Sequence, residues 1–88
     1  MMSISYTAEA VTLWVDDDVP SRMVWNGRRW RVSDMPTPLE DLAWSRVTHP
    51  PIVRGWRFQA TNELGVSFVF DVVWSVSDRE WSLVRVYD

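Results

Sequence analysis

The chain has 88 residues, of which 47% are apolar and 24% are charged, and this size and composition are typical of one small globular domain. Cysteine is absent, which excludes disulfides, thiolate nucleophiles and cysteine-based metal sites. The formal net charge of -3 argues against a surface that is basic throughout.

The sequence carries no pattern of a membrane span or of an export signal. No run approaches the roughly 18 apolar residues of a spanning helix, and the N-terminal segment lacks a basic stretch followed by a long apolar one. We therefore expect a cytoplasmic protein with no membrane partner. We interpret residues 1–88 as a single domain in which residues 1–9 fray.

Strands dominate the prediction, because β-branched residues alternate with other types and turn signals recur at short intervals. The first strand is expected over residues 10–15, where Val11, Leu13 and Val15 share one face. Three adjacent carboxylates at residues 16–18 repel one another and predict a solvated loop.

A hairpin over residues 22–32 is the clearest local pattern. Asn26 and Gly27 are the residues that best tolerate the positive φ angles of a two-residue type I′ turn. If Trp25 faces Arg28 across this turn, then Met23 faces Trp30. The register divides the hairpin into an apolar side and an arginine-rich side. The arginine-rich side carries Arg22, Val24, Arg29 and Arg31.

One short helix is expected after the hairpin. Thr37 as the N-cap and Pro38 at the first helical position predict a helix over residues 38–44, and acids follow in its first turn. Leu39 is expected to face inward. The two prolines after His49 end the helix and return the chain to an extended form.

Residues 53–60, 66–74 and 80–87 predict three further strands in a meander. The faces expected to meet the core are Trp56, Phe58 and Ala60, then Phe68, Phe70, Val72 and Trp74, then Trp81, Leu83 and Tyr87, with Arg85 interrupting the last face. A second apolar surface is expected from Val69, Val73, Val84 and Val86. This surface either packs under the hairpin or stays exposed as a partner site.

These elements predict a mainly β fold, or a β-rich α+β fold. The expected architecture is a small antiparallel SH3-like or partly open barrel of five to six strands, with one short helix across an open end. The tryptophans with core-facing positions in this arrangement are Trp25, Trp30, Trp56, Trp74 and Trp81.

Two segments resemble a small actinobacterial domain of unknown function. Its members show a hydrophobic-x-Trp-x-Gly-Arg-x-aromatic-x-Val signature, which residues 23–32 match as MVWNGRRWRV. They end in a pattern like Trp-x-Leu-x-Arg-Val-Tyr-Asp, which residues 81–88 match as WSLVRVYD. The resemblance implies no assigned activity and transfers no catalytic residues, although some relatives are associated with DNA-repair polymerase-like proteins.

The chain lacks the residue combinations of common catalytic and metal sites. The only histidine, His49, precedes two prolines and has no nucleophile motif nearby. The acids at residues 16–18 are adjacent instead of alternating, which favours a solvated loop over a calcium site. Three scattered glycines form no phosphate-binding loop. We therefore expect no enzymatic activity, no cofactor and no metal.

The hairpin is the candidate binding surface, because arginine and tryptophan dominate the energetics of protein interfaces. We predict a non-enzymatic interaction module that docks on an unknown protein partner or on a second copy of itself. Trp25 or Trp30 is expected to pack beneath the arginines as a scaffold. The candidate binding residues are Arg22, Arg28, Arg29, Arg31, Trp25 and Trp30.

Nucleic-acid binding is the alternative function, as an accessory domain associated with DNA repair. The arginines can neutralise phosphates, and a nearby Trp14 or Trp44 can stack on an unpaired base. The net charge of -3 disfavours this alternative. A third interpretation is that the arginines only cover the sheet, stacked on tryptophan or paired with residues 16–18 and Asp34.

Overall fold

The computed structural model describes residues 4–39 and 54–88, which form seven antiparallel strands. The strand order is β3-β2-β1-β7-β6-β5, and β5 also pairs with β3, so these six strands close a barrel. The predicted small antiparallel barrel is confirmed. The strands are β1 Ile4–Asp16, β2 Val19–Trp25, β3 Arg28–Val32, β4 Thr37–Pro38, β5 Gly55–Asn62, β6 Ser67–Ser75 and β7 Glu80–Tyr87.

The barrel closes through a short seam between β3 and β5. Three residue pairs join the two strands, from Trp30 opposite Asn62 to Val32 opposite Ala60. Beyond them the carboxylate of Asp34 accepts a hydrogen bond of 2.8 Å from the backbone N–H of Gln59. The backbone N–H of Ser33 also donates to the carbonyl of Gln59 at 2.8 Å, so one backbone and one side-chain hydrogen bond extend the seam. β4 then continues along the same edge of β5.

The β2–β3 hairpin has the predicted register. Met23 lies opposite Trp30 and Trp25 lies opposite Arg28. The two turn residues have positive φ angles, 54° at Asn26 and 71° at Gly27. Local turn chemistry and strand alternation thus determine this part of the barrel together.

The predicted start of a helix at Thr37 and Pro38 is wrong. Both residues form β4, with Pro38 opposite Trp56 on an edge where its missing N–H costs no ladder bond. The next residue, Leu39, donates its N–H to the carbonyl of Gly55 at 3.0 Å and is buried. Residues 40–44 of the predicted helix lie outside the described residues. Over residues 4–39 and 54–88 there is no helix, and so none that could cross a membrane.

The first strand begins earlier than the sequence predicts. Residues 4–9, which are expected to fray, belong to β1 and pair with β7, starting with Ile4 opposite Tyr87. From Thr12 onward β1 pairs with β2 instead. One long strand therefore serves two neighbours in turn, and this arrangement cannot be recognised from the alternation of residues 10–15 alone.

A largely aromatic core fills the barrel. The ring of Phe70 lies within 6.2 Å, centroid to centroid, of the rings of Trp25, Trp30, Phe58 and Phe68. Large rings supply much apolar contact area per residue, which a domain of this size needs. The buried apolar side chains are Met23, Trp30, Leu39, Phe58, Ala60, Phe70, Val72, Leu83 and Val86.

The remaining tryptophans with predicted core-facing positions lie around that centre. Trp25, Trp56 and Trp81 are half-buried and pack against the buried cluster. Trp74 is also half-buried and contacts Trp81 edge to face, with ring centroids 5.4 Å apart. Most of the tryptophan content is therefore explained by the core and its margin.

A bulge in β7 reverses the predicted faces at the end of the chain. Asp71 lies opposite Arg85, whereas the next residue, Val72, lies opposite Leu83, so that Val84 is an extra residue. Val86 is consequently buried in the core, while Tyr87 lies outside beside Asp71. The prediction that Tyr87 faces the core is wrong. The prediction that Val86 belongs to a second apolar surface is also wrong, because Val86 is buried in the core.

Candidate binding site on the hairpin

A row of side chains crosses four strands on the outside of the barrel. Trp14 of β1 lies opposite Arg22 of β2, Arg22 lies opposite Arg31 of β3, and Arg31 lies opposite Thr61 of β5. Neighbouring strands are about 4.8 Å apart, so these side chains are immediate neighbours. Arg29 lies on the same side two residues before Arg31. We call Trp14, Arg22, Arg29 and Arg31 the basic face.

A groove of about 780 Å³ runs over the basic face and is open to solvent. Trp14 and Arg22 lie on one side of it, and Thr61 and Asn62 at the end of β5 line the other. The closure of β3 onto β5 brings these last two residues to the groove. Reasoning from the hairpin alone missed them, because they are distant in sequence.

The arginines of the basic face are exposed and make no ion pair with any residue in the ranges 4–39 and 54–88. The guanidinium of Arg22 lies 5.6 Å from the centroid of the Trp14 ring, within the range of a cation–π contact. Trp14 nevertheless stays 42% exposed. Within the described residues, the face therefore offers guanidinium donors without an acidic partner and the accessible aromatic surface of Trp14.

The arrangement of Arg22 and Arg31 is electrostatically unfavourable. Like charges directly opposite each other on neighbouring strands destabilise a sheet. Arg29 adds a third positive charge on the same side. The acids that the sequence analysis considered as partners lie elsewhere in the described structure: residues 16–18 form the end of β1 and its turn, and Asp34 binds the backbone of Gln59.

Arg28, the fourth arginine predicted to bind, is not part of this group. Its guanidinium pairs with the carboxylate of Glu63 at 3.0 Å, where both side chains are exposed. Glu63 also borders the groove. Hydrogen bonds to the Glu63 carboxylate, first from its own backbone N–H and then from Arg28, lower the pKa of Glu63. The carboxylate of Glu63 is thus ionised, and the positive charge of Arg28 partly balances its negative charge.

The two predicted tryptophans of the site lie beneath the surface. Trp30 is only 3% exposed, and its indole N–H donates to the carbonyl of Trp25 at 3.2 Å. Trp25 is half-buried and donates its own indole N–H to the carboxylate of Glu9 at 2.8 Å. Both side chains pack beneath the hairpin and support it as a scaffold. The tryptophan that is exposed in the groove is Trp14. Trp44, the other candidate for stacking, lies outside the described residues.

A second group of arginines lies on another part of the outer surface, and the sequence analysis missed it. Arg57 of β5 contacts the Asp71 carboxylate with two nitrogens, at 2.7 and 3.0 Å. The hydroxyl of Tyr87 donates to the same carboxylate at 2.8 Å, and Arg85 lies 3.4 Å from it. Asp71 is 0% exposed. We call Arg57, Asp71, Arg85 and Tyr87 the paired cluster.

The paired cluster is built from direct cross-strand neighbours. Arg57 lies opposite Asp71, and Asp71 lies opposite Arg85. The hydrogen bond to Asp71 raises the pKa of Arg57, and burial, followed by the hydrogen bond to Asp71, raises the pKa of Tyr87. Alternation in the sequence places Arg57 and Asp71 at outward positions of neighbouring strands, which could have predicted their ion pair. The sequence does not reveal the β7 bulge, so it could not predict that Arg85 and Tyr87 join them.

No metal-binding group is found in the part of the chain that the structure describes, since no three histidine, aspartate or glutamate side chains gather there. Comparisons with family models, with curated proteins and with solved structures find no match to this chain. The resemblance of residues 23–32 and 81–88 to an actinobacterial domain therefore stays a prediction.

Proposed function

We propose that the protein is a non-enzymatic interaction module that docks on an anionic partner through the basic face. One observation carries the proposal: Arg22 and Arg31 lie directly opposite each other, with Arg29 beside them, and none pairs with an acid among the described residues. Such local conflicts are expected where a ligand supplies the missing charge.

The chemistry of the basic face suits carboxylates or phosphates. Guanidinium groups donate in a planar fork that matches both anions, and they remain charged at any physiological pH. The arginines stand on strands of a closed barrel, whose backbone is held by ladders on both sides. Rigid supports of this kind reduce the ordering cost of binding.

Two partner classes fit an arginine-rich groove. The net charge of -3 favours a protein partner with an acidic segment over nucleic acid. The exposed indole of Trp14 beside Arg22 favours nucleic acid, because an unpaired base offers both a phosphate and a ring to stack. Both classes share the same site and the same dependence on arginine.

Amide chemical-shift titrations test the proposal. We would add a short poly-glutamate peptide and, separately, a mixed-sequence single-stranded oligonucleotide, at about 50 mM and about 200 mM salt. The expected result is a salt-sensitive shift for at least one ligand, centred on residues 22–32, on residues 61–63 and on the Trp14 indole. The double variant Arg29→Gln/Arg31→Gln should lose it.

Arg79→Gln is the matched control, because Arg79 is exposed in the turn before β7, away from the groove. This variant should retain the shifts. Shifts centred on the paired cluster, or no shifts with either ligand, would contradict the proposed function.

A further inference from the structure

We infer that the anionic partner is a single-stranded nucleic acid, with phosphates on Arg22, Arg29 and Arg31 and one base stacked on Trp14. This inference rests on the proposed function and names the ligand of the same site. It depends on the placement of the exposed Trp14 ring at the end of a row of arginines that pair with no acid in residues 4–39 and 54–88.

Trp14 has the position and the support of a stacking platform. Trp14 is 42% exposed, and its ring makes a cation–π contact with the guanidinium of Arg22. The hydroxyl of Ser21 donates to the backbone carbonyl of Trp14 at 3.2 Å, which ties β1 to β2 at this residue. An exposed large aromatic residue held in this way is available to a ring of the ligand.

The spacing of the arginines suits a flexible backbone. Arg22 and Arg31 are separated by one strand spacing of about 4.8 Å, and Arg29 is about 6.8 Å along the strand from Arg31. A single strand can bend its phosphates toward such a cluster and turn a base onto Trp14. A duplex keeps its bases stacked on one another, so it cannot use the indole in this way.

An acidic peptide would bind the arginines of the basic face but would leave the exposed ring of Trp14 without a partner. Carboxylates satisfy Arg22, Arg29 and Arg31, whereas a poly-acidic segment brings no ring to Trp14. Every nucleotide brings a phosphate and a π-face together, which is why grooves for single strands combine cationic and aromatic residues. The combination on the basic face therefore favours nucleic acid.

The negative net charge does not oppose this inference at the groove. Asp71 is fully buried within the paired cluster, and Glu63 is paired with Arg28. Asp34 accepts a hydrogen bond from the backbone of Gln59. Among the described residues that line the groove, Glu63 is the one acid, whereas three are arginines, namely Arg22, Arg29 and Arg31. Salt screens the more distant carboxylates, so a phosphate at the groove meets mainly these arginines.

Fluorescence anisotropy with a labelled mixed-sequence single strand of about 12 nucleotides tests the inference. Binding would be measured between about 50 mM and about 200 mM NaCl. Three phosphate contacts predict a slope of log K against log salt of about -2, from about -0.7 per contact in single strands. Arg31→Gln should reduce the slope by about 0.7, while Arg79→Gln should leave it unchanged.

Trp14→Ala separates stacking from charge. It should weaken binding by about 5-fold to about 150-fold with little change in the salt slope, and Trp14→Phe should retain most of the affinity. Because Trp14 is exposed, we expect the fold to survive, which the indole proton spectrum of the other tryptophans would verify. Equal affinity of Trp14→Ala and the unmodified protein would overturn the inference, as would tighter binding of the corresponding duplex.

A poly-glutamate peptide distinguishes binding of any anionic partner from binding of nucleic acid. If this peptide binds in an Arg31-dependent way and the oligonucleotide does not, the nucleic-acid inference is wrong and the proposed function stands. If neither binds, both are wrong. If the oligonucleotide binds with the expected dependence on Arg31 and Trp14, both are supported.

Discussion

The basic face and the paired cluster use the same side chain at the same kind of position with opposite results. In the paired cluster an acid separates two arginines, in the cross-strand order Arg57, Asp71, Arg85. On the basic face Arg22 and Arg31 are direct neighbours with no acid between them. Whether an acid lies between two arginines therefore decides whether an arginine row stabilises the barrel or can bind an anionic partner.

The paired cluster has the features of a structural element. The carboxylate of Asp71 accepts hydrogen bonds from Arg57 and Tyr87, and the Arg57 guanidinium lies 4.9 Å from the centroid of the Tyr87 ring. Among the described residues, no buried side-chain nitrogen or oxygen lacks a hydrogen-bond partner. A satisfied buried network of this kind restrains β5, β6 and β7 relative to one another.

The largest expected effect comes from Asp71→Asn. The change removes the charge that Arg57 and Arg85 share, and it turns one carboxylate oxygen into a donor that faces other donors. We expect a loss of about 2 to 3 kcal/mol in the free energy of unfolding, measured by urea denaturation. Affinity of the folded variant for ligands of the basic face should not change. A variant as stable as the original would show that the cluster contributes no net stability.

Replacing one arginine by glutamine in each row should have different effects on stability. Arg57→Gln should cost about 1.5 to 3 kcal/mol, because it removes hydrogen bonds to a buried carboxylate. Arg31→Gln should change stability by less than about 0.5 kcal/mol, or raise it slightly, because it relieves repulsion from Arg22. Urea denaturation of both variants measures the difference. Equal losses would mean that the two rows do not differ as described.

Tyr87 makes the stability of the paired cluster sensitive to alkaline pH. Burial raises the pKa of Tyr87 above its ordinary value of about 10, so the folded state favours the protonated phenol. This contribution is fully present below about pH 10 and is lost as the pH rises through the raised folded-state pKa. The unfolding free energy should therefore fall across that window.

Tyr87→Phe tests this pH dependence. The variant should lose about 1 kcal/mol near neutral pH, since the hydroxyl no longer donates to Asp71. Its stability should then decline less steeply than that of the unmodified protein above about pH 10. Thermal or urea unfolding at several pH values provides the comparison. Parallel declines would assign the alkaline loss to another group.

Sequence reasoning succeeds here where the determinants are local. Asn26 and Gly27 determine the hairpin turn, and alternation from the turn places Arg22, Arg29 and Arg31 on one side. Alternation also identifies Phe58 and Phe70, among others, as core residues, and this prediction is confirmed. The small antiparallel barrel follows from several such strands with short turns.

The predictions that failed depend on contacts between distant segments. One extra residue, Val84, exchanges the faces of Val86 and Tyr87, and no local pattern marks it. Thr37 and Pro38 have helix-start chemistry, yet pairing with β5 places them in a strand. Tertiary pairing overrides local propensity in both cases. The sequence likewise does not predict that Thr61 and Asn62 line the groove, because they reach it only through the pairing of β3 with β5.

The smallest change in stability is expected from a substitution that would convert the basic face into a second paired cluster. Val24 lies directly opposite Arg29 and lines the groove. Val24→Glu places a carboxylate opposite Arg29. An exposed cross-strand ion pair stabilises the fold by only a few tenths of a kcal/mol, and the loss of the valine side chain costs about the same amount. Stability should thus stay within about 0.5 kcal/mol of the original.

Binding should respond far more strongly than stability to the same change. The new carboxylate competes with the ligand for Arg29 and repels phosphates from the groove, so Val24→Glu should abolish oligonucleotide binding that Val24→Gln retains. Gln has nearly the same shape as Glu, so a difference between the variants in anisotropy titrations isolates charge. If both variants bind equally well, the ligand does not use the arginine beside Val24. If Val24→Glu and Val24→Gln lose binding equally, the ligand depends on the shape of the groove wall at Val24, and the added negative charge is not the cause of the loss.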